Sequence, residues 1–100
     1  MKKEIFNQYV NTISSLMGIK KEELFVKSKN RELVDARHLL YYICFHRPMR
    51  IMYIQKHMKD NGYDISHNSV IHGVNIVTQR LAEDADYTFI INGIEKSVTN

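Results

Sequence analysis

The chain has 100 residues, 44% hydrophobic and 25% charged, which is the composition of a single small globular domain and excludes a disordered tail or a collagen-like repeat. Its net charge of +3 is too mild to name a partner, but the charge is uneven. Residues 1 to 31 hold seven Lys/Arg against three acids, residues 32 to 62 five against three, and residues 63 to 100 two against five.

One proline, four glycines and no strand-like alternation predict an all-α chain. Ile5, Phe6, Tyr9, Val10, Ile13, Leu16 and Met17 recur every three or four residues and mark a first helix that Gly18 can close. A short turn is expected over Lys21 to Phe25, then a polar, basic connector from Lys27 to Arg31. Leu33 to Phe45 is apolar on most sides, the mark of a central helix packed by several neighbours. Pro48 ends it or opens the next, a third helix over Met49 to Lys59 that Asn61-Gly62 breaks with a strong turn signal. Ser66 has the chemistry of an N-cap for a fourth helix, whose Val70, Val74, Val77 and Leu81 share one face while Asn68, His72, Asn75 and Gln79 share the opposite one. A last helix, from about Asp84 or Asp86 through Val98, carries Phe89, Ile90, Ile94 and Val98 as packing residues.

Several functions are disfavoured by what these residues can do. No GxxxxGK[ST] loop occurs, and 100 residues leave no room for an NTPase core, so any ATP chemistry lies elsewhere and no nucleotide is expected. Five histidines are present, but no two have the i, i+4 spacing of a helical zinc pair, so no metal or other cofactor is expected. Neither a nucleophile elbow nor a Cys/His motif is seen, and no enzyme is expected. Cys44, the single cysteine, lies in an apolar run and reads as a reduced, buried thiol. No stretch approaches a membrane span or a signal-peptide core, so a soluble, cytoplasmic protein is expected.

An uncharged stripe of Asn, His, Asn and Gln opposite an apolar face suits a helix lying in the major groove of DNA, where amide groups match adenine N6 and N7. The same stripe also suits a plain solvated face. Lys27, Lys29 and Arg31, with Arg37, Arg47 and Arg50, could neutralise duplex phosphates or could simply be solubilising charge. For Arg37 an internal pair with Asp35 or Asp60 is a further alternative. Met49, Met52 and Met58 are core filler or the lining of a partner surface.

The residues together resemble the C-terminal DNA-binding domain of the bacterial replication initiator DnaA, from about Ile5 to Val98. The resemblance is carried by Met17-Gly18-Ile19-Lys20-Lys21-Glu22-Glu23-Leu24, by Lys27 through Leu40, and by Ser66-His67-Asn68-Ser69-Val70-Ile71-His72-Gly73. Ser66, Asn68 and Ser69 stand where the family has Asp, Thr and Thr. The resemblance implies one domain over residues 1 to 100, a small helical bundle containing a helix-turn-helix. It implies binding of double-stranded DNA in replication initiation or in regulation at related sites, and a stand-alone module of this kind suits a phage or mobile element. Lys27, Lys29 and Arg31 would lie on the backbone and Arg37 would reach the minor groove. His67, Asn68 and Ser69 would meet bases and phosphates in the major groove. Arg50, Ser66, His72 and Asn75 complete the candidate DNA-binding set. The competing reading is a protein-interaction module that docks on a replication or transcription protein through Met49, Met52, Tyr53 and the acidic last helix.

Overall fold

In a computed structural model, which describes residues 2–98, five α-helices and one 3-10 turn follow the order anticipated from the periodicity. The chain is all-α among the described residues. No helix is long and apolar enough to cross a membrane.

Helix α1 (Lys2–Met17) buries Phe6, Tyr9, Val10 and Ile13 on one stripe. It ends at Gly18, whose φ of +66° lets Gly18 N–H donate to Ser15 O and Ile19 N–H donate to Ser14 O, which satisfies two carbonyls of the last turn. The 3-10 turn Lys21–Phe25 then drops Leu24 into the core with no exposed surface. Helix α2 (Arg31–His46) is capped by Asn30, whose side chain accepts from Glu32 N–H at 2.9 Å. Its buried residues point all around the axis, because α1, α3, α4 and α5 all pack against it. Arg31 therefore belongs to the first turn of α2 and not to the connector.

Helix α3 (Ile51–Asp60) starts two residues later than anticipated, after Met49, which is buried on its own in the linker. It turns Ile54, His57 and Met58 inward and leaves Met52 and Tyr53 outside. Gly62, at φ +92°, closes it as Gly18 closes α1: Gly62 N–H donates to Lys59 O and Tyr63 N–H to Met58 O. Gln55 donates across the turn to Ile65 O at 3.1 Å and ties α3 to the entry of α4 (His67–Glu83). Helices α3 and α4 thus pack against each other across a six-residue turn.

Helix α4 lies on α2 through Val70, Gly73, Val74 and Val77. A side chain at Gly73 would begin 2.7 Å from the Tyr41 ring and 2.9 Å from the His38 ring, so only glycine permits this approach. At its far end Arg80 donates to the Tyr87 hydroxyl at 2.8 Å and pairs with Asp35 at 3.6 Å, joining α4 to both α5 and α2. Helix α5 (Ala85–Ser97) is capped by Asp84, which accepts from Asp86 N–H at 2.9 Å. It packs through Ile91 and Ile94. Phe89, anticipated as a packing residue, is instead 81% exposed, and Leu16 of α1 is 54% exposed. Phe89 lies opposite Ile91 and Ile94 around the helix, whereas Leu16 is at the edge of the buried stripe in the last turn of α1. Cys44 is fully buried, and burial pushes its thiol pKa far above the ordinary range.

Candidate nucleic-acid interface

The N-terminus of α4 is built by Ser66, whose hydroxyl accepts from Ser69 N–H at 3.1 Å and lies 2.9 Å from the Ser69 hydroxyl. The cap fixes the start of the helix, and so fixes which residues look outward. His67, Asn68, Ser69, His72, Asn75 and Gln79 are all exposed, while Val70, Gly73, Val74 and Val77 are buried. The two faces are opposed, as the spacing required.

Beside this face an open cleft of about 610 Å³ separates α4 from the basic connector. Lys27, Ser28 and Lys29 line one wall, and Asn68, Ser69 and His72 the other. Buried Arg37 and Tyr41, with Val34, His38, Tyr63 and Ile65, complete the lining. Segments about forty residues apart in sequence are thus brought to face one another.

Arg37 does not project from the protein. It is 4% exposed, its Nε donates to Leu24 O at 2.9 Å, its Nη2 donates to Val26 O, and its guanidinium lies 4.8 Å from the centre of the Tyr63 ring. The family resemblance implied a side chain reaching into a minor groove, whereas here the side chain is turned inward and held by these contacts. Nor does it pair with the two acids considered for it, since Asp35 pairs with Arg80 and Asp60 with Lys56 at 2.9 Å. Its effect is to hold the 3-10 turn against α2, and so to set where the connector begins.

The other candidates divide. Arg31 is exposed at the first turn of α2, just past the connector. Ser66 lines a smaller recess next to the cleft, together with Lys27 and Ser69. His67 and Asn75 share the outward side of α4 but lie outside the cleft lining. Arg50 is exposed before α3 and borders a different recess, with Phe45 and Pro48. It does not join the cleft.

His38 packs edge-on against His72, with ring centres 5.7 Å apart. Burial, and then the proximity of His72, lowers the His38 pKa, and its Nδ1 is buried without a hydrogen-bond partner among the described residues. The neutral ring is the one that fits. Burial likewise pushes the Tyr41 hydroxyl far up. Sequence reasoning did not single out Tyr41, Tyr63 or Ser28 as cleft residues. Tyr63 could have been noticed as an aromatic residue directly after the Asn61-Gly62 turn, but only the fold places it over Arg37.

The wall residues offer mobile cations on one side and neutral amide, hydroxyl and imidazole groups on the other, which is chemistry suited to a polyanion carrying hydrogen-bonding edges. No family model and no curated protein matches the chain.

Proposed function

We propose that this chain binds double-stranded DNA, with α4 in the major groove and the Lys27–Arg31 segment on the phosphate backbone, as a cytoplasmic, non-catalytic module of DnaA type acting in replication initiation or in regulation at related sites. The observation that carries the reading is the juxtaposition at the cleft. Lys27 and Lys29 face Asn68, Ser69 and His72 across an open gap, and the face that holds Asn68 continues along α4 through Asn75 and Gln79. A helix with a neutral polar outer face, flanked by cations, can be held by phosphates while its amides meet base edges. Helix N-termini also favour phosphate, and Ser66 leaves the first turn of α4 open to solvent.

A duplex titration over a range of salt tests this. Lys27, Lys29 and Arg31 give three phosphate contacts, so log K should fall with log salt at a slope of about −3, at roughly 0.9 for each contact. Lys29→Ala should weaken every duplex alike and flatten the slope by about 1, whereas Asn68→Ala should cost about 1–3 kcal/mol on a selected site and little on a scrambled one. Absence of binding at low salt, or binding indifferent to salt, would sink the proposal.

A further inference from the structure

Two surfaces stand outside the cleft, and each has what the other lacks. The first is the outward side of α5. Phe89 stands 81% exposed near its middle, pointing away from buried Ile91 and Ile94. One turn further on, the position of Gly93 has open space around it, so the ring is flanked by bare backbone. On the side of the helix that carries Phe89, exposed Asp86 stands one turn before the ring and exposed Lys96 two turns after it, and exposed Glu83 and Asp84 precede the helix. This is an aromatic knob with an acidic flank on its N-terminal side.

The second surface is a recess of about 530 Å³ at the junction of α2 and α3, lined by Phe45, His46, Pro48 and Met49 with Lys2 and Arg50 at its border. Phe45 is 38% exposed there. Lys2 also lies 4.3 Å from the centre of the Tyr53 ring, which carries the aromatic surface on to exposed Tyr53 and Met52. The two cations at the border, Lys2 and Arg50, are exposed, whereas Arg47 donates to the Tyr9 hydroxyl at 2.9 Å and Lys56 pairs with Asp60 at 2.9 Å. This is an apolar socket with a basic rim.

We propose that the occupant of the socket is a second copy of this chain: Phe89 of one copy inserts between Phe45 and Pro48 of the next, with Asp86 and its neighbouring carboxylates facing Lys2 and Arg50. Knob and socket are different surfaces, so the contact is head-to-tail, and each copy keeps one free knob and one free socket. Growth beyond a dimer follows. Burial of a single aromatic anchor makes a small interface, so association is weak in free solution and strengthens when copies are held side by side on a shared scaffold. The test needs no DNA and is independent of the function proposed above.

Sedimentation of the full chain from about 10 μM to about 1 mM, the range in which a weak interface fills, should show species that grow past the dimer. Phe89→Ser removes the knob and Arg50→Glu reverses the socket rim. Both positions are exposed, and unchanged melting curves will establish that the variants fold. Each variant alone should associate at least tenfold more weakly than the native chain. Mixed, they should recover one contact, between the socket of Phe89→Ser and any native knob, only if the knob of Arg50→Glu enters it, giving a dimer that grows no further. Asp86→Lys combined with Arg50→Glu in one chain should restore growth by exchanging the charges. A native chain that stays monomeric, or stops at a dimer, overturns the proposal. So does a Phe89→Ser chain that associates like the native one, or a mixture that fails to pair.

Discussion

Helices α4 and α5 are neighbours in sequence, 17 and 13 residues long and separated only by Asp84, yet they meet the rest of the protein in different ways. α4 is pressed against α2 so closely that Gly73 has ring atoms where its side chain would be, and its outer face is neutral and polar. α5 rests on the bundle through fewer buried residues, leaves open space around Gly93, and turns a phenylalanine and the charged Asp86, Glu95 and Lys96 outward. An inward apolar stripe is common to both, since any helix of a small bundle must have one. The outer faces are not constrained by packing, and it is there that the two helices differ in chemistry.

The comparison can be broken most forcefully inside α5 itself. Ile94→Ala should destabilise by about 2–5 kcal/mol because it empties a filled core site, whereas Phe89→Ala on the same helix should change stability by less than about 0.5 kcal/mol. Chemical denaturation measures both. A large loss at Phe89 would mean that α5 sits the other way round.

The two glycines give the next largest contrast, with opposite signs for one substitution. Gly73→Ala should cost about 1–2 kcal/mol, because overpacking against the buried Tyr41 ring exceeds the gain of about 1 kcal/mol in helix propensity. Gly93→Ala meets nothing within 4 Å and should stabilise by about that gain. In a domain of this size each kcal/mol moves the melting midpoint by roughly 4–8 °C, so the two variants should bracket the native chain clearly.

Ser66→Ala removes the cap of α4 and should cost about 1 kcal/mol by thermal melt. An unchanged midpoint would show that the first turn of α4 is held by something other than this hydroxyl. The smallest effect is in pH. His38, under α4, and His57, packed on Phe6 with ring centres 5.0 Å apart, both have pKa values lowered first by burial. Above about pH 6.5, the ordinary histidine value, both folded and unfolded chains hold these rings neutral, and stability is full. As the pH falls below that value the unfolded chain takes up protons that the folded protein resists, so stability declines through the folded-state pKa values. Melts between pH 7 and pH 5 should show the decline, and His38→Phe should make it shallower by removing the share that belongs to the α4 side.

Much of the bundle is legible from residue order alone. Apolar spacing gives the helices, Gly18 and Gly62 mark two of their ends, and Ser66 marks the start of α4 with its faces in register. These are local matters, because a cap or a left-handed glycine acts within one turn of its own position. Asn30 as the cap of α2 belongs to the same class, but it was masked by the cations around it.

What the tertiary structure decided depends on atoms distant in sequence. Arg37 looks like any cation of a basic stretch until the carbonyls of Leu24 and Val26 and the ring of Tyr63 are brought around it, whereupon it becomes an internal strut and not a projecting contact. Phe89 lies opposite Ile91, Ile94 and Val98 around α5, and it is left outside because the bundle takes up their face and not its own. The cleft between Lys29 and Asn68 has no local signature at all, because it is the gap left when α4 is drawn onto α2 through Gly73. Helical periodicity determines which residues share a face. Which face becomes a floor, a wall or an exposed knob is settled only by how closely the helices can approach, and that distance is set by the side chains of their partners.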